Sequence, residues 1–112
     1  MTLQYAYCAG IIDGEGYVGF HKRKASLRAK IIVDMSCLKT VEHLRTTFGV
    51  GTIRPRKPRL GKKPLYRWTV ECLSARQVAK LILPYVVTKR DEVEMLAHQV
   101  VRKYSRERID KI

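Results

Sequence analysis

Two carboxylates, Asp13 and Glu15, stand two residues apart among glycines 10, 14 and 16, at the end of a stretch that otherwise reads as an apolar helix. A carboxylate at a helix C-terminus faces the negative end of the macrodipole, which costs from a few tenths of a kcal/mol to about 1 kcal/mol. Glycine in a helix interior gives up about 1 kcal/mol more. Local conflicts of this kind are expected at functional sites. A divalent cation would resolve this one, because a carboxylate and the backbone carbonyl near Gly14 are hard oxygen ligands that suit Mg²⁺, which keeps several of its waters. Two residues apart at a helix end, Asp13 and Glu15 are not expected to aim at one ion. The opposite conflict stands at Lys89, which follows a candidate helix cap, Thr88, and so meets the positive end of a dipole. A phosphate in front of Lys89 would remove that penalty; a solvated surface lysine is the equal alternative.

The elements that must hold these residues follow from periodicity. Thr2 can cap a first helix running through Ile12 and closed by Gly14. Residues 17–23 then alternate Val18 and Phe20 against Gly19, His21 and Arg23, and residues 27–35 alternate again after a short turn at 24–26, which predicts a hairpin. A helix from Ser36 carries Val41, Leu44 and Phe48 at helical spacing and stops at Gly49. Strands 52–57 and 65–72 form a second hairpin, joined by a loop of prolines and cations within "RPRKPRLGKKP" that cannot pack into a core. Ser74 with Gln77 and Thr88 with Asp91 read as capping boxes opening the last two helices, the first ended by Pro84 and the second running to Tyr104. The order is αββαββα(α), an α+β domain over residues 1–104 with a four-stranded, mainly antiparallel sheet and a charged tail, 105–112.

Twenty-three Lys and Arg against ten Asp and Glu leave a formal charge of +13 over 112 residues. Self-repulsion on that scale points to a polyanion as partner, nucleic acid before all others. No run of about 18 apolar residues and no signal-peptide pattern appears, so no membrane partner and an intracellular location are expected. The cysteines at 8, 37 and 72 lack metal or disulfide spacing and read as small core residues.

If Val18, Phe20, Ile31, Val33, Ile53, Trp68, Val70 and Cys72 face the helices, the period of two sends His21, Arg23, Arg28, Lys30, Arg54, Arg56 and Arg67 to the other side. Such a cationic sheet suits a duplex groove, where long donors reach base edges and phosphates. In the first helix Ala6, Ala9, Gly10 and Asp13 form a stripe of small residues at i, i+3, i+4 and i+7 that lets another helix approach closely, a twin copy being the natural partner. A two-fold dimer would then set two acidic helix ends at the centre of the basic surface.

"CAGIIDGEG", residues 8–16, resembles the motif of the LAGLIDADG homing endonucleases. Ala9, Gly10, Ile12, Asp13 and Gly16 match its letters, Glu15 stands for the second acid, and Cys8 replaces the first leucine. "FGVGTI" at 48–53 and "LPYVVTKR" at 83–90 are similar to later landmarks of the family, in the right order. The resemblance implies the family's fold and a single-motif, homodimeric DNA endonuclease that uses Mg²⁺ or another divalent cation and leaves short 3′ overhangs at a palindromic or near-palindromic target. Carried over, it makes Glu15 the metal-binding acid, with the Gly14 carbonyl a possible ligand. Asp13 orders the helix end, and Lys89 is a basic residue near the scissile phosphate. Asp34 and Ser36 compete for a catalytic polar position at the end of the second strand. His21, Arg23, Arg28, Lys30, Arg54, Arg56 and Arg67 match DNA-facing positions. Members of the family are usually encoded in mobile introns or free-standing genes of organelles, bacteria and phages. The rival reading is a non-cleaving protein on the same scaffold, an intron RNA maturase or a DNA-binding regulator.

Overall fold

The computed structural model describes residues 2–24, 26–58 and 60–98, with the backbone alone at Thr2 and Arg23. Helix α1 (Thr2–Glu15) runs directly into β1 (Gly16–Arg23), which turns back as β2 (Ser26–Met35). After α2 (Leu38–Phe48) come β3 (Thr52–Arg56) and β4 (Leu65–Glu71), then α3 (Cys72–Ile82) and α4 (Arg90–His98). The sheet order is β1-β2-β4-β3 and every pairing is antiparallel. The expected α+β order is therefore present. Val100, Val101, Tyr104 and the tail 105–112 lie outside the described residues.

Alternation along the strands builds the core. Val18, Phe20, Ile31, Val33, Trp68 and Val70 are buried against the helices, which contribute Cys8, Ile12, Leu44, Ile82 and Leu96 among others. Trp68 is the largest fully buried side chain. Its indole N–H donates to the Val50 carbonyl at 3.1 Å, and its ring stacks on Phe48, which stacks in turn on Tyr5 of α1. Gly49, at φ 73°, makes that loop possible: it takes the left-handed conformation that ends α2, and its N–H donates to the Arg45 carbonyl at 2.7 Å.

Several local expectations change. Helix α1 continues past Gly14 to Glu15, because its end is satisfied from another element, described below, rather than by a left-handed glycine. Helix α2 begins at Leu38 rather than Ser36. Helix α3 starts two residues before Ser74, with Glu71 at its N-cap and no side-chain cap bond, so the Ser74 and Gln77 box is not used. Cys37 and Cys72 are exposed and only Cys8 is buried; Cys72 has left the strand for the helix start, with φ 58°. Among the described residues no helix is long and apolar enough to cross a membrane.

Candidate active site and nucleic-acid face

The two conflicts read from the sequence, an acid at the wrong end of α1 and a cation at the wrong end of α4, meet each other in space. Asp13 Oδ2 accepts from the backbone N–H groups of Val87 and Thr88 at 2.9 and 3.0 Å, and Oδ1 from that of Lys89 at 2.7 Å. Lys89 Nζ reaches back and donates to the Asp13 carbonyl oxygen at 2.6 Å. One carboxylate thus caps the positive end of α4, while one ammonium caps the negative end of α1. Burial pushes the Asp13 carboxyl up, but the amides of Val87, Lys89 and Thr88 and the Lys89 charge outweigh it and hold it below the usual carboxylate range. This supersedes the Thr88 and Asp91 capping box: the amide of Thr88, which that box would give to Asp91, goes to Asp13, 75 residues away in sequence. Lys89 is accordingly a half-buried, anchored side chain and not a free surface lysine.

Glu15 has no such partner. It is exposed and makes no hydrogen bond or ion pair among the described residues. It opens onto a shallow cleft of about 400 Å³, lined also by Gly16, Tyr17, Ile32, Asp34 and Arg67, on the side of the sheet away from the helices. Both carboxylate oxygens of Asp34 are already bonded: Arg67 Nε donates to Oδ1 at 2.7 Å and Nη2 to Oδ2 at 2.8 Å. Those bonds hold the Asp34 carboxyl below its usual range against the effect of burial, with the charges of Arg67 and Arg56 adding to them. Ser36 lines a neighbouring cavity of about 520 Å³ with Asp34, Arg56, Lys57, Lys62 and Lys63.

The strand register arranges the outward face in rows. His21 lies opposite Arg28, and Gly19 opposite Lys30, which lies opposite Glu71. Next comes Tyr17, Ile32, Thr69 and Thr52 across all four strands, then Asp34, Arg67 and Arg54. The face is therefore less uniformly cationic than the sequence reading has it. Lys30 pairs with Glu71 at 3.3 Å and Arg67 with Asp34, and an uncharged row separates the two pairs. His21, Arg28, Arg54 and Arg56 are exposed as expected; the Arg23 side chain lies outside the described residues. Period-two counting already places Tyr17 and Ile32 outward, but counting charges passes over them. Tyr17 lies flat along β1, with its hydroxyl 2.7 Å from where a Cβ on Gly19 would stand, so only glycine leaves it that position.

The small-residue stripe on α1 needs correction. Ala9 is fully buried in its own chain and Asp13 is bonded to residues 87–89, so Ala6, Ala9, Gly10 and Asp13 do not form one free face. The small side chain of Ala9 belongs to the core of its own chain. The exposed face carries Leu3, Tyr7, Gly10 and Gly14, with Leu3 82% and Tyr7 56% exposed. Nothing lies within 4 Å of a Cβ built on Gly10 or Gly14.

Among the described residues no group of three or more His, Cys, Asp or Glu could hold a metal within one chain. The free oxygens at the end of α1 are hard ligands and fit a magnesium-like ion, provided that water and a second molecule complete its shell.

No protein-family model matches the sequence, and no curated protein matches it. Solved structures do. The homing endonuclease I-CvuI in complex with its target, in the presence of calcium, matches with a TM-score of 0.71 and 21% identity over 91% of this chain and 68% of that one. The LAGLIDADG meganuclease I-AabMI bound to uncleaved DNA matches with 0.69 and 19% over 88% and 37%. The archaeal intron-encoded homing endonuclease I-Vdi141I complexed with DNA matches with 0.67 and 15% over 86% and 65%. The chain has the LAGLIDADG homing endonuclease fold.

Proposed function

We propose that a chain with this fold and a single motif is a site-specific homing endonuclease that cuts both strands of duplex DNA as a homodimer, using a divalent cation held by Glu15. One observation carries the reading: of the two acids ending α1, Asp13 is consumed by the fold, whereas Glu15 is left exposed and unpartnered on the cleft of the cationic sheet. A polypeptide of charge +13 that leaves one carboxylate bare in that place is offering it to a cation.

Glu15 and the exposed Gly14 carbonyl would hold Mg²⁺ together with water and oxygens of the scissile phosphate. When bound, the cation polarises the phosphoryl oxygen, acidifies the attacking water and stabilises the departing 3′ oxygen. The remaining work belongs to side chains of this protein. Lys89, fixed on the Asp13 carbonyl, sets a positive charge at the end of the same helix, beside the developing negative charge. Arg54 and Arg56 grip the backbone, and Asp13 holds α1 and α4 together so that Glu15 and Lys89 keep one geometry. The exposed apolar face of α1, Leu3, Tyr7, Gly10 and Gly14, supports packing against a twin copy, which gives one cleft for each DNA strand and an inverted-repeat target. Solved structures of this fold bound to DNA support the same partner.

The test is cleavage of a plasmid pool carrying randomised inserts, with and without Mg²⁺. Mg²⁺-dependent double-strand cutting is expected, and Glu15→Gln should bind the selected site yet leave it uncut. Cutting by Glu15→Gln at the normal rate would refute the assignment.

A further inference from the structure

We propose that Arg67 reads a guanine in each half-site and that Asp34 is the positioning residue that aims it, an inference that rests on the DNA-cutting function above. Asp34 takes the side edge of the guanidinium, through Nε at 2.7 Å and Nη2 at 2.8 Å. An arginine has five N–H donors in a rigid plane. With two committed, the end edge, Nη1 and the second proton of Nη2, remains as a matched pair of parallel donors. Guanine alone presents two adjacent acceptors, N7 and O6, in the major groove, and that spacing fits the pair.

Phosphate is the competing ligand for such an edge, and three observations favour the base. The pair is neutral as a unit, whereas phosphate binding depends on net positive charge and the counterions it releases. Asp34 keeps the directional donors while cancelling the charge. Second, the two side chains are only 30% and 29% exposed, so the guanidinium is held low against the sheet and does not swing on a free stem. Third, β4 is an inner strand, flanked by β2 and β3, and the neighbouring row, Tyr17, Ile32, Thr69 and Thr52, carries no charge. An uncharged centre bordered by exposed cations such as Arg54 and Arg56 on the edge strand β3 matches base edges bordered by phosphates. The Lys30 and Glu71 pair, a single contact at 3.3 Å, has no such fork to aim.

Duplexes bound from a randomised pool, with Mg²⁺ withheld, test this. For the unaltered protein the sequenced pool should show one strongly preferred guanine per half-site. Arg67→Lys keeps the charge and loses the fork, and should lower that preference about tenfold or more with the other positions unchanged. Arg67→Ala combined with Asp34→Asn removes the fork without changing the net charge of the pair, and should do the same while leaving the salt slope as it was. Asp34→Asn should weaken the guanine preference and steepen the dependence of log affinity on log salt by about 0.9, because it frees one charge. These substitutions lie on the outward face and leave the core intact, and circular dichroism identifies any variant that is not folded. A uniform loss of affinity across sequences with a shallower slope in that charge-neutral double variant would mean a phosphate contact and overturn the inference. An unchanged base preference in Arg67→Lys, or a wild-type slope and preference in Asp34→Asn, would overturn it too while leaving the nuclease function standing. Failure of the unaltered protein to enrich any duplex would instead bring down the function itself.

Discussion

Asp13 and Glu15 differ by two positions and have opposite fates. Asp13 accepts three backbone N–H bonds and ties α1 to the start of α4, so it behaves as an N-cap supplied from a distance. Asp13→Asn removes the charge and weakens those bonds, and should cost about 1–2 kcal/mol in urea unfolding. The sign with pH follows from the depressed carboxyls. Folded Asp13 and Asp34 both titrate below their unfolded values, so their stabilisation is complete above the ordinary carboxylate range and is lost as pH falls through their lowered values, below about pH 4. Asp13→Asn should flatten that acid limb of the stability curve, read from melts between pH 5 and pH 2. From sequence, the local conflict at this site was legible, because dipole and propensity are properties of neighbours. Its resolution was not, since nothing in a spacing rule connects Asp13 to an amide 76 residues on. A cation is the expected remedy for the acidic helix end, with Glu15 as its ligand; for Asp13 the fold supplies the remedy itself.

At the scale of elements, both capping boxes read from the sequence are unused, and for the same reason. Each was inferred from a side chain near a helix start, while tertiary contacts moved the start or filled the cap. Helix α3 opens at Cys72 straight out of β4, and α4 is capped by Asp13. Ser74→Ala and Thr88→Ala should therefore each change stability by less than about 0.5 kcal/mol, well short of the roughly 1 kcal/mol typical of a lost N-cap. The face of α1 was misread by rotation. Small residues signal close approach but not by which neighbour, and here Ala9 is buried in the core of its own chain. The face left exposed carries Leu3, Tyr7, Gly10 and Gly14, and Gly10 has open space around it within the chain. Gly10→Leu should consequently fold normally by circular dichroism yet run as a monomer in light scattering. A wild-type protein that stays monomeric at every concentration would count against the paired helices. Strands, in contrast, are legible nearly to the residue, because alternation reports which side meets the core, and the helices bury one side of β1, β2 and β4 over most of its length.

For the whole molecule, the sum of charges announced a polyanion partner but overstated where it is gripped. Two outward cations, Lys30 and Arg67, are balanced in place by Glu71 and Asp34, acids that a tally of Lys and Arg ignores. Arg54, exposed on the edge strand and without an ion-pair partner among the described residues, should contribute as a full charge. Arg54→Ala is expected to weaken DNA binding alike for all sequences and to reduce the salt slope by about 0.9. An unchanged slope would move the phosphate track elsewhere. The cavity beside the β3 to β4 connection, with Arg56, Lys57, Lys62 and Lys63 around it, holds a dense group of the remaining charge. Arrival and recognition are thereby assigned to different ground. On the proposed function, the rim and its loop would govern how fast a duplex is captured, through long-range attraction, while the neutralised middle would govern how long the protein dwells on one stretch before moving on. A change of preferred sequence can then arise in the middle without slowing the search that brings the protein there.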